Sequence, residues 1–280
     1  MPRLNKEEYV EQAYLFRVLL ERIPDATPLQ DLLADIKQEL LTTTRLPMAL
    51  DFLLAEVRHL GVLHTAMKRL GHYFHPFQTY VISEAESERG RFDMRVALQL
   101  LHDEAKYRAS DGSVQGLFFY QFECLCRNRL KYDHGLDAVA EDPWYDAGWR
   151  EWIITVRRQI GLVDFADMVY VRSAQYIKQQ ESLGIENIDR PPAVLFGEKE
   201  GRIAFANRRK DPLYFFAALQ RHLGYPEVKR PKPIEDAQSK YEDLLRKHHQ
   251  LDIRLKLLEE EQRAGIDLNK FYVKQPPPSE

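Results

Sequence analysis

Along most of the chain, apolar residues return at intervals of three and four. That is the signature of helices with one buried face. Tyr9, Ala13, Phe16, Leu20 and Ile23 form the first such stripe. Asn5 stands where a cap is expected, and Glu7 and Glu8 suit the positive end of a helix dipole. Pro24 stops this helix. Thr27, Pro28 and Gln30 predict the next start, with Leu29, Leu32, Leu33, Ile36 and Leu40 facing inward. Pro47 opens a third segment through Leu60, in which Leu50, Leu53, Leu54 and Val57 are buried. Gly61 separates it from a shorter piece ending near His72.

From Pro76 the spacing predicts one long helix to about Arg108, with a charged middle and a bend at Gly90. Ser110-Asp111-Gly112 is a turn. The segment 113–130 is apolar on every side and so central, and periodicity alone leaves it helix or strand. Asp142-Pro143 breaks the chain before a helix carrying Trp149, Trp152, Ile153, Val156 and Ile160. Asp164 caps a further helix to about Gln180, although Met168–Arg172 also reads as a short strand. Residues 193–207 have a different texture: two apolar runs flank a loop bounded by Gly197 and Gly201, which predicts a β-hairpin. Asp211, Pro212 and Gly224 then bracket an amphipathic helix.

The most regular pattern comes last. Ile234, Ala237, Tyr241, Leu244, His248, Leu251, Leu255 and Leu258 alternate spacings of three and four, the a and d positions of a heptad repeat. In a parallel dimer, Lys247 meets Asp252 and Arg254 meets Glu259 across the seam, both attractive pairs. His248 occupies an a position, where two facing imidazoles repel once protonated.

These elements predict a mainly α fold. A multi-helix body covers 1–183. A loop, a small β-hairpin and a capped helix at 184–225 pack on it. A proline-rich linker follows at 226–233, then a coiled-coil-like heptad helix at 234–264 and a flexible tail at 265–280.

Composition narrows the function classes. Lys plus Arg number 40 against 43 Asp plus Glu, so the net charge of -3 carries no global nucleic-acid signature. Two cysteines make no disulfide framework, and residues 1–12 are too charged for a secretion signal, so a cytoplasmic protein is expected. No apolar run approaches the roughly 18 residues of a membrane span, and no membrane association is expected. The chain lacks G-x-G-x-x-G, Walker-type, H-E-x-x-H and G-x-S-x-G motifs, and no cofactor is expected.

Three candidate sites remain. The heptad seam, from Ile234 to Leu258, is expected to pair with a second copy or with another helical protein. The basic stretch 199–232 holds nine Lys or Arg against four acids, counting Glu198. Within it, Arg202, Arg208, Arg209 and Lys210 lie before the helix capped by Asp211 and are candidates for binding a phosphoanion or nucleic acid. Glu56 and His59 form an isolated E-x-x-H, half of the pattern that carboxylate-bridged metal bundles use. The reading favoured on sequence is a non-catalytic interaction or scaffold protein. Anion binding is the alternative, and a metal-dependent helical-bundle enzyme comes third.

Overall fold

The computed structural model describes residues 3–23, 28–41, 43–87, 92–184 and 192–229. Thirteen helices run through them. The first five are α1 (Lys6–Arg22), α2 (Leu29–Glu39), α3 (Leu46–Leu60), α4 (Leu63–Arg69) and α5 (Pro76–Glu86). The middle four are α6 (Met94–Ala109), α7 (Val114–Arg127), α8 (Tyr132–Ala140) and α9 (Ala147–Gln159). The last four are α10 (Phe165–Val171), α11 (Ala174–Ser182), α12 (Glu198–Ala206) and α13 (Pro212–Leu223).

Short polar side chains fix many of the starts. Asp93, Ser113, Asp146, Asp164, Ser173 and Asp211 each accept a backbone N–H two or three residues ahead. Each such cap is worth about 1 kcal/mol. Asn5 takes the cap position of α1 without making that bond. Pro28 flanks α2 from outside, one residue before the first helical position.

The mainly α architecture holds, and α7 is its centre. Leu117, Phe118, Phe119, Tyr120, Phe122, Cys124 and Leu125 are all buried, on every side of the helix. Neighbours account for each direction. Helices α6, α8 and α13 pack against it. Phe118 meets Trp149 and Trp152 of α9 at 5.6 and 4.9 Å between ring centroids. Phe122 meets Phe165 at 4.4 Å, and Phe119 meets Phe196 at 5.6 Å. Burying one such ring stabilises the fold by about 1.5–3 kcal/mol. Within 113–130, residues Val114–Arg127 are therefore helical because a helix surrounded by aromatic partners has no exposed polar face to maintain. Elsewhere α1 lies along α6, and α8 pairs with α9.

Four expectations need correction. The single helix over 76–108 is two helices: α5 ends at Ser87, whose backbone is extended (φ −71°, ψ 121°), and the Asp93 cap starts α6. The stretch after Asp164 is also two helices, because Ser173 turns extended and caps α11. Helix α8 fills a stretch for which the apolar pattern predicted no element.

The fourth correction concerns the β-hairpin over 193–207, which does not form. Its first arm is extended but pairs backward. Leu195 and Phe196 N–H donate to the Arg172 carbonyl at 2.9 and 3.2 Å, and Ala174 N–H donates to the Phe196 carbonyl at 2.9 Å. Its second arm is α12, started at Gly197 with Glu198 and Glu200 in the first turn. Gly201 is in mid-helix and not in a turn. A Cβ there would lie 2.3 Å from Ser173 Oγ and 2.6 Å from Gln175 Cβ. The glycine thus permits close packing of α12 on α11, a role that imitates a loop glycine in sequence.

Helix α12 packs on α10 and α11, and α13 on α7. Tyr225 hydroxyl reaches Glu123 Oε2 at 2.8 Å, and His222 Nε2 lies 2.7 Å from Glu200 Oε1. All described residues belong to the unit Met1–Pro231. The expected heptad helix and tail, and the linker from residue 230 on, lie outside the described residues. Among those residues no helix is long and apolar enough to cross a membrane.

Candidate functional site

The densest polar chemistry is buried between α1, α6, α7 and the loop before α9. Arg108 of α6 is 2% exposed and sits between two carboxylates that are fully buried, Glu104 and Asp142. Its guanidinium donates to Glu104 Oε1 at 2.9 Å, and to both Asp142 oxygens. Gln121 Nε2 donates to the same Glu104 oxygen at 2.6 Å, and Tyr145 hydroxyl donates to Gln121 Oε1 at 2.7 Å. The guanidinium also stacks 5.2 Å from the Trp144 ring and 5.8 Å from Tyr9.

Tyr9 links this cluster to His75. Its hydroxyl accepts from Trp144 Nε1 at 2.9 Å and lies 3.0 Å from His75 Nε2. With the indole as donor, the hydroxyl proton is free to point at His75, which must then be neutral and accepting. Electrostatics agrees. Burial, reinforced by the Arg108 charge, pushes the His75 pKa down to about 4. Burial by itself would raise the Asp142 carboxyl, but Arg108 and the Trp144 N–H outweigh it and hold it below its ordinary range. Two atoms keep no hydrogen-bond partner, Glu104 Oε2 and Arg108 Nε.

The lattice extends along α1. His75 N–H donates to Gln78 Oε1, Gln78 Nε2 to Gln12 Oε1, and Gln12 Nε2 to the Tyr73 carbonyl, each at 3.0–3.1 Å. Glu8 receives Arg45 N–H at 3.0 Å and Tyr73 hydroxyl at 3.0 Å, while Glu11 receives Leu41 N–H. Acids at the start of α1 therefore hold the chain entering α3, in addition to facing their own helix dipole. Closed off from solvent and satisfied mostly from within, this lattice specifies how the helices dock.

A second constellation has the outline of a proton relay. Thr65 Oγ1 lies 3.2 Å from His64 Nε2, and His64 Nδ1 lies 2.5 Å from Glu86 Oε2. Acyl transfer also needs N–H groups aimed at an oxyanion. Here the nearby amides of Leu63 and His64 are taken by Glu86 itself, at 2.6 and 2.9 Å. Glu86 thereby ties the end of α5 to the start of α4.

The residues nominated from sequence fall in several places. Arg202 pairs with Glu198 at 3.1 Å and with Gln175 at 3.2 Å. Arg208 lies over Tyr170 and Phe205, 4.2 and 4.6 Å from their ring centroids, and pairs with Asp167 at 2.5 Å. Arg209 takes a left-handed backbone (φ 56°), and its N–H donates to Asp164 Oδ2 at 2.6 Å. Asp164 thus caps α10 with one oxygen and fixes the α12–α13 turn with the other. Two of the four basic candidates are engaged by carboxylates, and Arg209 contributes backbone geometry to the turn. Glu56 is held by Arg69 at 2.6 Å, and His59 is exposed. Among the described residues no group of three His, Cys, Asp or Glu is arranged to hold a metal ion. Residues Ile234 to Leu258 lie outside the described residues.

Sequence reasoning missed Glu104, Arg108 and Asp142. Glu104 and Arg108 stand four apart, as an exposed helical pair would, and Asp142 precedes a proline, as a turn residue would. Only their apolar flanks, Leu100-Leu101 and the aromatics Trp144-Tyr145, hinted at burial. No protein-family profile, no curated protein and no solved structure matches the chain.

Proposed function

We propose that the protein is a non-catalytic helical interaction protein that associates through its C-terminal heptad segment, first of all with a second copy of itself. The observation that carries this reading is the unbroken alternation of threes and fours from Ile234 to Leu258, with two attractive pairs across a parallel seam. A further support is the use of the buried polar groups in the body: Glu8, Glu11, Arg108 and Asp142 are committed to backbone amides or to one another.

The alternative, binding of a phosphoanion along 199–232, is weakened by the carboxylates on Arg202 and Arg208. The third reading, a metal-dependent enzyme, starts from Glu56 and His59 and has Glu56 on Arg69.

Light scattering across a concentration series tests the first reading. The full-length chain is expected to self-associate, and the doubly substituted Leu244→Asp/Leu251→Asp chain to be a monomer. Association is expected to weaken as pH falls through about 6.5, where paired His248 side chains become charged. A wild-type monomer at all concentrations, or equal masses for both chains, overturns self-association.

A further inference from the structure

Between α9 and α10 the surface opens into a pocket of about 190 Å³, lined by Trp152, Val163, Met168 and Val171, with Asp167 and Arg172 among its polar walls. An engineered cavity of about 150 Å³ admits benzene, so the space suits one leucine or phenylalanine side chain. Its border is apolar and exposed: Leu162 is 85% exposed, and Val163 and Val171 are each 42% exposed. The turn that displays Leu162 is fixed. Gly161 has φ 83°, and Leu162 and Val163 N–H donate to the Gln159 carbonyl at 2.9 and 3.0 Å. The Arg172 carbonyl, bonded to Leu195 and Phe196 N–H, anchors the other edge.

The charges at this pocket are uneven. Asp167 is neutralised by Arg208. Arg172 has no ionic partner among the described residues. An apolar socket edged by exposed aliphatic residues and by Arg172, unpaired among the described residues, is complementary to an apolar anchor beside a carboxylate.

We propose that the α9–α10 face is a docking site for an acidic amphipathic segment of a partner protein, which places one leucine- or phenylalanine-sized side chain in the pocket and a carboxylate on Arg172. This site is separate from the heptad seam and does not depend on it.

The test uses the full chain and a synthetic amphipathic helical peptide that carries leucines on one face flanked by glutamates. Two control peptides replace the glutamates by lysines or the leucines by alanines. Calorimetry is expected to show the leucine–glutamate peptide binding at least tenfold more tightly than either control, with affinity falling as salt rises. Arg172→Glu and Leu162→Asp should each weaken it at least tenfold. Leu162 is exposed and Arg172 half-buried, and unchanged circular dichroism melts verify that the variants fold. The Leu244→Asp/Leu251→Asp chain should bind the peptide as the wild type does, so failure at this face and failure of the heptad reading are separable. Equal binding of the glutamate and lysine peptides overturns the proposal, as does wild-type affinity in Arg172→Glu. A fall in the mass of the protein on Leu162→Asp alone also overturns it, because the occupant would then be a second copy.

Discussion

Replacing Arg108 by methionine keeps a long side chain in the core and removes the only cation paired there with Asp142 and Glu104 among the described residues. All three side chains are 0% exposed, so solvent screens none of them. Removing one partner of a buried ion pair costs about 3–5 kcal/mol, because the other is left charged and unpaired. Whole domains are stable by only about 5–15 kcal/mol, so the variant should lose a large share of its stability. At roughly 2–4 °C per kcal/mol for a body of this size, its thermal midpoint should fall by about 10 °C.

The loss must also depend on pH, in a direction the linkage fixes. In the wild type the Asp142 carboxyl lies below its ordinary range, so its contribution is complete above the unfolded carboxylate pKa and disappears as pH falls through the folded value. In Arg108→Met the Asp142 carboxyl becomes hard to ionise. The penalty should therefore be largest at neutral pH and shrink toward pH 5, as the buried Asp142 carboxyl takes up a proton. Urea melts followed by circular dichroism at pH 5, 6, 7 and 8 measure this. A stability loss below about 1 kcal/mol, or one of constant size across that range, would refute the account of the lattice as an interlocked ion cluster.

Two further outcomes follow from the same geometry. His75 stays neutral in the fold down to about pH 4 but titrates near 6.5 when unfolded, so wild-type stability should decline between those values by roughly 3 kcal/mol; His75→Gln should flatten that decline in urea melts, and an unchanged slope would remove His75 from the acid response. Gly201→Val should destabilise by about 1–3 kcal/mol in thermal melts, since even its Cβ would lie 2.3 Å from Ser173 Oγ; a neutral result would mean that α11 and α12 separate freely.

The sequence by itself determined the class of this fold and many of its boundaries. Period-3.6 stripes marked α1, α2 and α3, and Asp164 and Asp211 act as caps where a short side chain precedes an apolar run. Those signals are legible because capping and amphipathicity are local, written within a turn or two of the residue concerned. Tertiary structure decided what depends on neighbours distant in the chain. The centre of segment 113–130, Val114–Arg127, is a helix because rings from α9, α10 and α13 surround it. Residues 198–206 are a helix, with Gly201 pressed against Ser173 from an element some 28 residues earlier. Arg208 reads as a free cation until Asp167, Tyr170 and Phe205 close around it. Glu104 and Arg108 look like a solvated pair until Asp142 and Tyr9 meet them in the core. A charge has the same letter whether hydrated or buried, and only packing removes the water that makes the difference.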